Sequence, residues 1–333
     1  MQRFTLLFAV CLGWLFVAHL LAEDVPAVIV LEGTREPVDT IAFSPDRKQI
    51  AMPSRGSVQI WDANSGKVLR RFTDSERVRI VAFSPDGKKI VTGSIDSSVQ
   101  IWNADTGKEL LKFEGSTEYL TSVIFSPDGK KIVTGNYDGT VRIWDADSGK
   151  ELHILEGHTR PVIYAVFSPN GEKIVTTSHD NAVRIWDVNS GKELQKLEGH
   201  ENVYRFPTAF SPDSKKIITA SGRMNDGVSR IWDVESGKEL QKLEGHKRGV
   251  DAVAFSPDGK KVVTANMHFM PEPQIRIWDA ESGEELKTLG VPTDVQWTSR
   301  VSPTFLSVSF TPDGEKIVAV YIDGFGIIRI STI

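Results

Sequence analysis

A chain of 333 residues with 40% hydrophobic and 25% charged side chains has the composition of a folded soluble protein, and no low-complexity tract marks a disordered tail. Its 44 acidic against 39 basic residues argue against the phosphate backbone of a nucleic acid as partner. The length exceeds what one compact core fills, so either two domains or one repetitive architecture is expected.

The first segment differs in kind from the rest. Arg3 supplies one positive charge, residues 4–22 are almost wholly apolar, and Glu23 and Asp24 restore polarity. That layout predicts a secretory signal peptide over residues 1–22, with Ala22 as the small residue before the cut and Leu20 as a poorer match two positions earlier. An uncleaved membrane anchor is the alternative, since the apolar run approaches bilayer length. A secreted or periplasmic location is therefore expected, with membrane association only if the segment is retained. The single cysteine, Cys11, falls inside it, so a cleaved chain would have neither disulfides nor thiolate chemistry.

Residues 23–333 read as one repetitive unit. After the apolar stretch of residues 25–33 a phrase recurs about every 42 residues: Phe-Ser-Pro-Asp-Gly-Lys-Lys, Ile-Val-Thr-Gly, Asp-Gly-Thr-Val-Arg-Ile-Trp-Asp, Ser-Gly-Lys-Glu-Leu. Its phenylalanines are Phe43, Phe83, Phe125, Phe167, Phe210, Phe255 and Phe310. Its tryptophans are Trp61, Trp102, Trp144, Trp186, Trp232 and Trp278, with Ser331 or a near neighbour in that place in the seventh copy. Each copy predicts four short strands. In the third they cover residues 120–125, 131–134, 141–144 and 151–155, separated by turns at residues 126–129, 138–139 and 147–149. Proline presets the first turn dihedral and glycine supplies positive φ.

This phrase resembles that of the WD-repeat (WD40) family, and the resemblance covers residues 25–333. It implies an all-β fold, a β-propeller whose blades are four-stranded antiparallel sheets. Seven copies predict seven blades. Because the seventh copy stops before an outer strand, and residues 25–33 align with the outer strand at 193–199, the N-terminal segment is expected to complete the last blade and close the ring.

His158, His200 and His246 all stand in Leu-Glu-Gly-His. Metal ligands have to converge, whereas these fall in separate copies, so no metal and no cofactor is expected. The resemblance implies instead a hydrogen-bonded group of histidine, Ser or Thr, aspartate and tryptophan within a blade. His158, Thr176, Asp180 and Trp186 would form the most complete set. His200, Thr219, Asp226 and Trp232 would form a second, and His246, Thr264 and Trp278 a third with Glu272 in the aspartate place. In other copies Thr34, Asp74 and Ser116 take the histidine place and Arg55 an aspartate place, so packing is expected to hold those blades.

No catalytic residue is assigned: Gly-x-Ser-x-Gly, His-Glu-x-x-His and a phosphate-binding glycine loop are all missing from the sequence. The recurrent aspartates are turn residues by spacing, and the expected partner is a protein or peptide. The loops that vary lie before each first strand and before each tryptophan strand, at one face of a propeller. Expansions occur at residues 221–225, 266–271 and 291–304. By resemblance, partner-contact positions include Arg77, Arg79, Tyr119, Thr121, Tyr137, Ile163, His179, Tyr204 and Phe206; the expansions add Phe269 and Trp297. Two other functions compete: an exported hydrolase or lyase working in the central funnel, and a carbohydrate or cell-wall binder using the same aromatic rings.

Overall fold

A computed structural model of the chain describes residues 28–31, 40–54, 57–73, 78–115, 118–199, 207–221, 227–266, 274–290, 304–311, 313–322 and 328–332. The signal segment lies outside these. The described residues hold strands and turns and no helix.

Their strands form seven four-stranded antiparallel sheets, each built from consecutive strands. The first six cover residues 42–73, 78–114, 120–155, 162–197, 208–246 and 252–290. The third runs Leu120–Phe125, Lys131–Asn136, Val141–Asp145 and Glu151–Leu155. Its second strand reaches two residues past the predicted end. Gly135 continues the ladder there, because a Cβ would stand 2.7 Å from Ser122 Oγ and 2.9 Å from Val162 Cγ1. Close approach, not a turn, requires that glycine.

In the seventh sheet Thr304–Phe310, Ile317–Ile322 and Ile328–Thr332 are joined by a strand from the other end of the chain. Val28–Leu31 pairs antiparallel with Ile328–Thr332, in a register that sets Val28 against Ser331 and Leu31 against Ile328. Val318 pairs with Thr332, as Val133 pairs with Ile143 in the third sheet. By that register the tryptophan place of the seventh copy falls at Ile333, a near neighbour of Ser331 that lies outside the described residues.

Each second strand is apolar on both faces: Ile132 and Val133 are both fully buried. Such a run suits a sheet covered on both sides. The covering is the neighbouring sheet, so the core lies in layers between successive sheets. One layer joins Ile80, Val91 and Ile101 of the second sheet to Val123, Phe125 and Trp144 of the third. Trp102, Trp186, Trp232 and Trp278 likewise pack against the sheet preceding their own. At ~25 cal/mol per Å2 and roughly 150–250 Å2 of ring, each such tryptophan contributes about 4–6 kcal/mol of hydrophobic stabilisation.

A polar seam accompanies these layers. Gln195 Nε2 donates to Glu235 O at 2.8 Å, and Gln241 Nε2 to Glu281 O at 2.6 Å. His153 Nε2 lies 2.8 Å from Asn189 O. In each case the outer strand of one sheet grips the Asp-x-x-Ser-Gly turn of the next. The turn glycine lets the two approach: Gly107 has φ +69°, and a Cβ on it would lie 2.5 Å from Phe72 Cδ1. The inner strands also pack in series, each against that of the following sheet from the first to the seventh.

Candidate functional site

The histidine, threonine, aspartate and tryptophan of the fourth sheet meet inside it. Thr176, at the centre of the second strand, is fully buried, and its Oγ1 accepts from Trp186 Nε1 at 2.8 Å. His158 Nε2 stands 2.8 Å from the same oxygen, and His158 Nδ1 lies 2.9 Å from Asp180 Oδ2. A carboxylate can only accept, so Nδ1 carries the proton and Nε2 receives the threonine hydroxyl. Every polar hydrogen of the chain from indole to carboxylate then has an acceptor.

Asp180 is the one member that reaches the edge of this group. Its Oδ2 also accepts from the Thr159 amide at 3.0 Å, and its Oδ1 from the Ala182 amide at 2.9 Å. Burial by itself would raise its pKa, but the bonds from His158 and the two amides outweigh it and hold the carboxyl well below the usual carboxylate range.

The sixth sheet repeats part of the arrangement. His246 Nε2 lies 2.7 Å from Thr264 Oγ1, which accepts from Trp278 Nε1 at 2.8 Å. Burial, and next the charge of Arg276, push His246 down to about 4. In the fifth sheet Trp232 Nε1 donates to Thr219 Oγ1 at 2.7 Å, while His200 and Asp226 lie outside the described residues.

The tryptophan–threonine bond persists where the histidine is missing from the sequence: Trp102 to Thr92 at 2.9 Å and Trp144 to Thr134 at 3.1 Å. Packing is thus assisted by one hydrogen bond in those sheets. The first sheet departs further. Met52 stands at the threonine place, and buried Trp61 Nε1 has no hydrogen-bond partner among the described residues. In the sequence the signal is Met52 at a column that holds threonine in the second to sixth copies.

The predicted contact residues divide. Tyr119 precedes the first strand of the third sheet and Tyr137 follows its second, so both stand at the end opposite the Ser-Pro-Asp-Gly turn. The Tyr137 amide donates to Tyr119 O at 2.9 Å, and the two rings meet edge-on with centroids 6.5 Å apart. They remain 55% and 50% exposed, which is unusual for rings already in contact. Arg79 and His179 are half-buried at the same end of the second and fourth sheets, where the His179 amide donates to Pro161 O at 3.0 Å. Ile163 and Thr121 are corrections: both are buried, Ile163 in the apolar layer between the fourth and fifth sheets, so neither presents a side chain to a partner. Arg77, Tyr204, Phe206, Phe269, Trp297 and the body of each expansion lie outside the described residues.

Among the described residues no three His, Cys, Asp or Glu side chains come together as a set that could hold a metal ion. Nor is any described helix long and apolar enough to cross a membrane.

The sequence profile of the family described as WD domain, G-beta repeat matches residues 66–103, 107–145, 149–187, 191–233 and 237–279. Among curated proteins no sequence matches the chain. Each matched unit begins at a turn and spans the outer strand of one sheet with the three inner strands of the next, so the sequence repeat is offset from the sheet by one strand.

Proposed function

The chain belongs to the WD40 family, and from that premise we propose that its sheets close into a seven-bladed propeller, a non-enzymatic scaffold that holds a protein or peptide partner. Two features support the ring: the inner strands that pack in series, and the pairing of Val28–Leu31 with the last sheet. The exposed pair of Tyr119 and Tyr137 carries the binding role. Two rings fixed against each other lose little further freedom when a partner covers them, which is the economy that makes tyrosine frequent among interface anchors. Arg79 and His179 on the flanking sheets extend the face around them, and the expansions of the fifth to seventh copies are part of the same reading. The apolar run of residues 4–22 supports export, with cleavage after Ala22.

The test is capture with the immobilised full chain from its native cells, comparing the wild type with the Tyr119→Ala/Tyr137→Ala double variant. A protein enriched by the wild type should be lost by tenfold or more, about what two anchor rings contribute, at unchanged melting temperature. Undiminished protein capture by the double variant, or retention of polysaccharide alone, would overturn this assignment.

A further inference from the structure

The turn between the first and second strands carries a glycine in five sheets. Gly87, Gly129, Gly171, Gly259 and Gly314 all adopt a left-handed φ between +71° and +73°. A Cβ on them would stand 3.2–3.9 Å from the proline of the preceding sheet's turn: Pro45, Pro85, Pro127, Pro212 and Pro257 in order. The position therefore faces a neighbouring turn. In the first sheet it is held by Arg47, at φ +64°.

An arginine there is disfavoured twice. Its backbone sits where glycine alone is free of strain. Its side chain is also 3% exposed, and Nε, Nη1 and Nη2 are all buried with no hydrogen-bond partner among the described residues. The adjacent carboxylate is committed elsewhere: Asp46 Oδ1 accepts from Ser44 Oγ at 2.7 Å and from the Lys48 amide at 3.2 Å. Burial pushes the guanidinium down to about 10, so it stays cationic at neutral pH. A buried cation with its donors unmet calls for an anion.

We infer that Arg47 anchors a buried oxyanion site at the base of the first sheet, taking a carboxylate or phosphate group in the fork of its guanidinium. The planar fork matches two oxygens of either group, and burial strengthens the pair relative to one in water. A site beside the turn of the seventh sheet rests on the closed ring proposed above. The burial and the unmet donors do not, and deletion of residues 25–33 tests the ring separately.

The experiment follows thermal unfolding of the full chain as wild type, Arg47→Gly and Arg47→Met in sodium chloride, sodium phosphate and sodium succinate at matched ionic strength. Phosphate strengthens burial in any protein, so the comparison between variants decides. Phosphate, succinate or both should raise the wild-type melting temperature by about 3 °C or more beyond the rise seen in either variant. A response to phosphate alone identifies a phosphate site, and one to succinate alone a carboxylate site. In chloride, Arg47→Met, which keeps the backbone strain but removes the charge, should melt above the wild type. Equal anion responses in all three proteins, or an Arg47→Met variant that melts below the wild type in chloride, would overturn the inference.

Discussion

Thr176→Val replaces the one hydroxyl on which two buried rings depend. Trp186 Nε1 and His158 Nε2 both lie 2.8 Å from Thr176 Oγ1, and valine fills nearly the same volume without an oxygen. The substitution strands an indole donor and an imidazole nitrogen, each at about 1–3 kcal/mol when buried, for a loss of roughly 2–6 kcal/mol. Thr134→Val in the third sheet is the internal standard. Thr134 Oγ1 takes Trp144 Nε1 at 3.1 Å, in a copy whose sequence has Ser116 in the histidine place, so about half that loss is expected. Reversible urea unfolding, followed by tryptophan fluorescence, should show both midpoints falling at unchanged slope, with Thr176→Val falling about twice as far. The native Trp61, whose indole N–H has no partner among the described residues, shows that the fold survives one such loss. Equal destabilisation by the two variants would refute the coupling of His158 to the threonine, and with it the four-residue chain.

Three further outcomes follow from the same structure. His246 is pushed down from its ordinary 6.5 to about 4, so the unfolded chain takes up a proton more readily than the folded one; stability is full above pH 6.5 and drains as pH falls towards 4, by about 3 kcal/mol. His246→Gln should flatten that part of the pH–stability curve, and an unaltered curve would remove His246 as its source. Gly107→Ala should lower stability by about 1–3 kcal/mol, since a Cβ meets Phe72 at 2.5 Å on a backbone at φ +69°; calorimetry that finds no change would contradict the tight seam. Deleting residues 25–33 removes the strand paired with Ile328–Thr332 and should lower the melting temperature of the whole chain, an effect whose absence would argue against ring closure.

Much of the strand pattern was legible because the repeat states its turns again in copy after copy, and residues 120–125 and 151–155 match the observed strands of the third sheet. The second strand runs on through Gly135 to Asn136, because that glycine serves close approach, a demand that looks the same in sequence as that of a turn. The contact positions carried over by resemblance include Tyr119 and Tyr137, which are exposed, and also Ile163, which is buried. A column of a repeat records backbone position, whereas exposure depends on what the neighbouring sheet does to the side chain. Arg47 and Met52 escaped notice for the opposite reason. Each departs from the repeat at a column whose physical demand is a left-handed φ or an acceptor for an indole; the departure stands in the sequence, and its consequence shows once the partners are in place.

The seams between the described sheets have a direction: Gln195, Gln241 and His153 each reach from the outer strand of one sheet to the turn of the next. Such head-to-tail contacts have no natural end, and in separate molecules they build either closed rings or open filaments. Carried on one chain, they make each sheet answer only to its two neighbours, so strength is transmitted link by link as in a one-dimensional array. An array of that kind parts at its weakest link. Among the described residues that is the first sheet, with an indole at its centre that finds no partner there and an arginine where the second and seventh sheets have glycine.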